Sequence, residues 1–99
     1  MTTTVTLLFF SGRRDPTWEL AAGEAAALAP QLEHLPDAVP VDSLGYRGFL
    51  VRSDDPEMPR ERLVRGAPAV ERFLLHSGAS HLAPEVVDAV DAAIAGAPD

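Results

Sequence analysis

Few side chains in this 99-residue chain could carry chemistry: cysteine is absent and there are three histidines. Thiolate nucleophiles, zinc–thiolate sites and disulfides are excluded together. His76 and His81 stand five apart across Gly78, a spacing with no helical face in common, and no carboxylate accompanies them. Metal centres draw on richer ligand sets than this. His34 lies far off in the chain, and His76 is accounted for as a cation near a helix C-terminus. The run His76-Ser77-Gly78-Ala79-Ser80-His81 sets hydroxyls beside imidazoles. A hydrolytic serine also needs a strained strand-to-helix elbow, an oxyanion hole and an orienting acid, and none can be placed here. Asp54, Asp55 and Glu57 could form an acid pair or a weak cation site. A proline-punctuated acidic loop without the EF-hand pattern reads instead as solvated. The expectation is a protein that is not an enzyme, with no catalytic residue, no metal and no cofactor.

Two segments have residue types suited to binding. Ser11-Gly12-Arg13-Arg14-Asp15-Pro16-Thr17-Trp18 gathers a flexible glycine, two adjacent arginines, a turn aspartate and the only tryptophan at the end of a strand, where loops carry function. Arg13 or Arg14 could hold a carboxylate or a carbonyl while Trp18 supplies an apolar anchor. The competing reading has Trp18 plugging the core and the arginines solvated. Leu44-Gly45-Tyr46-Arg47-Gly48-Phe49 sets a Tyr-Arg pair between glycines at a strand start. Gly48 within a strand signals a bulge, which would let Tyr46 and Phe49 pack, or a close approach of another backbone, the first strand or a bound peptide. It is not a phosphate-binding fingerprint, because no Gly-rich turn leads into a helix and no Gly-Lys-Ser/Thr follows. The candidate contact residues are Ser11, Gly12, Arg13, Arg14, Asp15, Trp18, Tyr46, Arg47 and Phe49.

The elements that must position these residues follow from periodicity. Thr3 to Phe10 alternates as a strand. A helix over Ala22 to Leu35 has Ala25, Leu28, Leu32 and Leu35 on one stripe, and Pro30 inside it predicts a kink or a restart at that residue. Tyr46 to Ser53 and Arg60 to Gly66 read as two strands able to pair antiparallel across a long polar loop. Ala69 to Ser77 is helical up to Gly78, and Pro84 opens a last helix with Leu82, Val86, Val87, Val90 and Ile94 on its apolar stripe. The expected fold is a single α+β domain over residues 1–99. It has a small three-stranded, mainly antiparallel sheet covered by helices, in the order β-α-β-β-α-α. Three strands are few, so helices cover one face and leave the other face or an edge to a partner.

Composition narrows the classes further. The net charge of −7 argues against nucleic acid. Residues 19–46 carry five acids and no arginine, whereas residues 47–72 hold six of the eight arginines against five acids. No apolar run approaches the ~20 residues of a membrane span. Met1-Thr2-Thr3-Thr4 lacks the basic start of a signal peptide, and a cysteine-free chain suits a reducing cytoplasm. An Ala-rich chain without lysine fits a GC-rich bacterial genome. A cytoplasmic bacterial protein with no membrane and no nucleic-acid partner is expected.

Together, Ser11-Gly12-Arg13-x-Asp15-Pro16-x-Trp18 and Gly45-Tyr46-x-Gly48 resemble the signature of a group of small bacterial proteins, in which a strand runs into Ser-Gly-Arg-x-Asn/Asp-Pro-x-Trp and Gly-Tyr-x-Gly follows a helix. The group is similar to accessory subunits that act beside radical SAM enzymes modifying ribosomal peptides, the splicease pairs among them. The resemblance covers about half the chain. It implies a non-catalytic role in which the chain binds a precursor peptide or the enzyme, while the partner carries the iron–sulfur cluster. Two other classes stay open: a structural or regulatory homodimer paired through its free sheet edge, and an unrecognised small enzyme.

Overall fold

The computed structural model describes residues 2–9, 15–35, 46–56 and 60–95. Thr3–Leu8 forms β1, in which Thr3, Val5 and Leu7 are buried and Thr4, Thr6 and Leu8 are half-buried, the period-2 pattern of a one-sided sheet. Thr17–Glu19 forms β2, antiparallel to β1, with Val5 opposite Trp18 and Thr6 opposite Thr17. After helix α1 (Ala22–Glu33), β3 (Gly48–Ser53) pairs with the other side of β1, and β4 (Glu61–Val64) pairs with β3. Every pairing is antiparallel and the strand order is β2-β1-β3-β4. Helices α2 (Pro68–Ser77) and α3 (Pro84–Ala95) follow, joined by a 3-10 turn over Ala79–His81.

This corrects the three-stranded β-α-β-β-α-α expectation: the order is β-β-α-β-β-α-α, with a fourth strand where a loop ending at Trp18 was read. Three residues after Pro16 are too short to announce a strand, and β2 exists because β1 supplies its ladder. Pro16 accepts a hydrogen bond from the Leu7 amide at 3.0 Å, the Leu20 amide donates to the Thr3 carbonyl at 2.9 Å, and the Thr6 and Thr17 hydroxyls meet at 2.8 Å. The faint signal was Thr17-Trp18-Glu19 itself, polar, apolar and polar in turn, which the structure turns into exposed, buried and exposed.

All strand residues that are buried with the core lie on one face: Val5, Leu7, Trp18, Phe49, Val51 and Val64. They join Leu28 and Leu32 of α1, Val70, Leu74 and Leu75 of α2, and Val90 and Ile94 of α3 in one cluster. Each such side chain contributes about 1.5–3 kcal/mol on leaving water. The opposite face carries Thr4, Thr6 and Leu8 of β1, Leu50 and Arg52 of β3, and Glu61 and Leu63 of β4, none of them buried. No described helix covers it, and no described helix is long and apolar enough to cross a membrane.

Helix α1 starts with the Glu24 carboxylate accepting the Ala21 amide at 2.9 Å, the half of a capping box that an alanine N-cap allows. Of the kink or restart expected at Pro30, the restart does not occur: the helix runs through Pro30 to Glu33. Leu28 and Leu32, on either side of Pro30, are both fully buried, and their packing holds the helix across the lost Ala26 carbonyl bond. A proline in a helix interior costs about 3 kcal/mol. Pro30 itself is exposed, so Pro30→Ala is expected to restore the bond without disturbing the core. Stability should rise by about 1–3 kcal/mol, a Tm gain of roughly 4–8 °C per kcal/mol, measured by thermal circular dichroism.

Candidate partner-binding surface

Trp18, the only tryptophan, is 3% exposed. Its indole Nε1 donates to Ser77 Oγ at 3.0 Å, and Ser77 Oγ donates to the Leu74 carbonyl at 2.6 Å. The ring stands edge-on to Phe49 with centroids 6.4 Å apart and lies parallel to His81 at 6.4 Å. The end of α2 is shaped to it: a Cβ on Gly78 would sit 2.2 Å from Trp18 Cε2. Gly78 is the C-cap of α2, with φ −106°, so it is required by the approaching indole and not by a left-handed turn. These contacts occupy Ser77, whose proton goes to a backbone carbonyl and not to an imidazole.

The second motif is built around a carboxylate that the sequence reading passed over. Glu71 in the first turn of α2 is fully buried. It accepts the Tyr46 hydroxyl at 2.5 Å, Arg65 Nη1 at 3.3 Å and the Ala67 amide at 3.0 Å. A buried charge left unpaired is expensive, and these three donors offset that cost. Arg65 lies over the Tyr46 ring, 4.8 Å from its centroid, and Tyr46 meets Phe49 edge-on at 5.7 Å. The signal was available in the sequence: Glu71 shares a helical stripe with Leu74 and Leu75, where an apolar residue is expected. Gly48 allows the close approach expected of it, with φ +116° and a would-be Cβ only 2.6 Å from the Val64 carbonyl. The backbone that approaches it is that of β4, not the first strand or a bound peptide.

The two motifs converge at one end of β1. The Arg47 amide donates to the Leu8 carbonyl at 2.7 Å, Asp15 Oδ1 accepts the Phe9 amide at 3.4 Å, and Arg47 Nη2 stands 4.0 Å from Asp15 Oδ1. Trp18 and Phe49 are in the core and Tyr46 is half-buried, so these three hold the motifs together from within. Ser11, Gly12, Arg13 and Arg14 lie outside the described residues, as do Gly45 and Glu57. The central arginines do not form a basic face. Arg52 pairs with Glu61 at 2.9 Å, Arg65 with Glu71, and Arg72 with Asp91 at 3.3 Å, while Arg62 Nη1 donates to the Leu35 carbonyl at 2.7 Å.

The histidines stay apart: His34 caps the end of α1, His76 is exposed in the last turn of α2, and His81 stacks on Trp18. Among the described residues, no group of three His, Asp or Glu could hold a metal ion. Asp54 Oδ1 accepts the Thr2 amide at 2.6 Å. Among the described residues, no helix covers the face that carries Leu8 and Leu50, and no strand lies on the outer side of β2.

Two tests follow from the packing. Gly78→Ala pushes a methyl into the indole and is expected to cost about 1–3 kcal/mol, read as a lower Tm and a red shift of the single tryptophan's emission. Tyr46 is the only tyrosine, and the chain contains neither lysine nor cysteine, so its alkaline titration is clean. Burial pushes the Tyr46 phenol far above its usual range, the hydrogen bond and charge of Glu71 push it further, and Arg65 opposes them. The unfolded phenol ionises near pH ~10. The folded state therefore binds more protons above that pH, and this contribution is present below pH ~10 and lost as pH rises. Phenolate absorbance is expected to appear only as the protein unfolds, with stability falling by about 1.4 kcal/mol per pH unit. Tyr46→Phe is expected to flatten that fall. Against protein-family models, curated proteins and solved structures, the chain matches none.

Proposed function

We propose that this chain is a non-catalytic accessory protein that binds a peptide or a partner enzyme. The observation that carries the reading is the one-sided sheet: the buried apolar side chains of the strands face the helices, and Leu8 and Leu50 lie on a face that no described element covers. Apolar side chains on such a face are suited to a protein surface. The Asp15–Arg47 end supplies polar groups for selectivity. Trp18, Tyr46 and Phe49 act by holding that end in shape, and Arg13, Arg14, Arg47 and Leu50 make the contacts. The resemblance of the two motifs extends the reading to the maturation of a ribosomally made peptide in the cytoplasm, with a radical SAM enzyme as the partner.

The test is a titration of the chain against the purified radical SAM enzyme and precursor peptide of its own host. Arg13→Ala, Arg47→Ala and Leu50→Thr are each expected to weaken binding by about 5–30-fold, with the Tm of the two arginine variants nearly unchanged. Normal binding by all three variants, or unfolding of the arginine variants, overturns the assignment. The same open face favours a second reading, a homodimer in which a second copy covers Leu8 and Leu50. Sedimentation at high dilution decides between the two: a persistent dimer that dissociates in Leu50→Thr supports the homodimer.

A further inference from the structure

We propose that the groove between α1 and the near end of the sheet docks a short basic peptide, which adds as a strand to the outer edge of β2. This rests on the binding reading above and names a partner chemistry for it. The groove has a volume of about 1020 Å³. Its helical wall is the stripe Ala22, Ala26 and Pro30, one face at i, i+4 and i+8, with Leu20 at the foot of the helix. Small side chains on this wall leave room for the aliphatic stems of arginine or lysine.

The charge is of one sign. The charged residues lining the groove are Glu19, Glu33 and Asp55, and no cationic residue lines it. Glu19 and Glu33 are exposed, and neither makes an ion pair among the described residues. In a chain of net charge −7, they draw a cation and repel an acidic segment. The helical wall adds an acceptor, because Pro30 has no N–H and the Ala26 carbonyl lacks its i+4 donor. Guanidinium and ammonium groups bring donors and no acceptors.

The strand edge is a separate observation. Leu7 bonds to Pro16 and Leu20 to Thr3, so in the antiparallel alternation Trp18 turns its backbone groups toward Val5 while Thr17 and Glu19 turn theirs outward. Among the described residues no strand lies beside them, and exposed edge groups of this kind accept an added strand. Glu19 belongs both to this edge and to the groove, so a peptide paired with β2 continues between the groove walls. The Ala21 amide is already bonded to Glu24, which ends the pairing there.

The experiment uses the full chain and three fluorescent peptides of about eight alternating residues, a length that spans β2 and the groove. One carries Arg at alternate positions, one carries Glu at the same positions, and one is the Arg peptide N-methylated along its pairing edge. The Arg peptide is expected to bind saturably and the Glu peptide not to bind. Backbone methylation is expected to weaken binding at least about tenfold, since it removes the ladder donors. The double variant Glu19→Gln/Glu33→Gln, exposed at both sites, is expected to weaken it by about 3–20-fold. Amide shifts at Thr17 and Glu19 mark the edge. Equal binding of the methylated peptide, or of the Arg peptide to the double variant, overturns the proposal. If the host enzyme binds and the Arg peptide does not, the groove assignment alone falls. If neither binds, the binding reading falls with it.

Discussion

The fold depends on how Trp18 is seated. β2 is three residues long, too short for its ladder alone to hold an edge strand. The indole supplies what the ladder lacks. It is buried against Phe49, bonded to Ser77, and laid across a C-cap that has no side chain because any Cβ there would overlap the ring. One side chain thus joins an edge strand to the end of α2 and sets the 3-10 turn, where His81 stacks. Glu71 fastens the other end of α2, through Tyr46 in front of β3 and Arg65 behind β4. With both ends of α2 tied to the same side of the sheet, the opposite side is left without a described helix.

That arrangement has a cost in buried charge, and the structure shows how it is met. The Glu71 carboxylate leaves water entirely, but it gains a phenol, a guanidinium and a backbone amide as donors. The same network explains why the Gly-Tyr-x-Gly segment is structurally demanding. Tyr46 must reach Glu71, and two residues later Gly48 must bring β3 up to the Val64 carbonyl. Five of the six arginines after residue 46 are tied to other parts of the chain. Arg47, Arg62 and Arg65, partly buried, meet Asp15, the Leu35 carbonyl and Glu71, and Arg52 and Arg72, with more exposed side chains, pair with Glu61 and Asp91. The mixture of charges in that stretch of sequence is therefore largely a set of internal ties, and Glu19 and Glu33, without an ion pair among the described residues, give the groove its charge together with Asp55.

Much of this was legible in the residues alone. Alternation placed β1 and β3, the apolar stripes placed α1, α2 and α3, and Gly78 and Pro84 marked the boundaries between the last two helices, because local periodicity and backbone chemistry are properties of short segments. The choice of Trp18 and of Tyr46 to Phe49 as special positions was also readable from their types and their glycine neighbours. The acidity of the chain and the lack of cysteine were fixed by composition before any folding. Three things were decided only by the tertiary structure. β2 is a strand because β1 is beside it, and Pro30 stays within α1 because Leu28 and Leu32 are both held by the core. Glu71 sits at an apolar stripe position that the sequence shows, but what satisfies its carboxylate there, Tyr46 from across the chain with Arg65 and Ala67, is set by the fold. Each depends on packing between elements that overrides a local preference, the β1 ladder for β2, the core for Pro30, and the reach of Tyr46 to Glu71 across 25 residues.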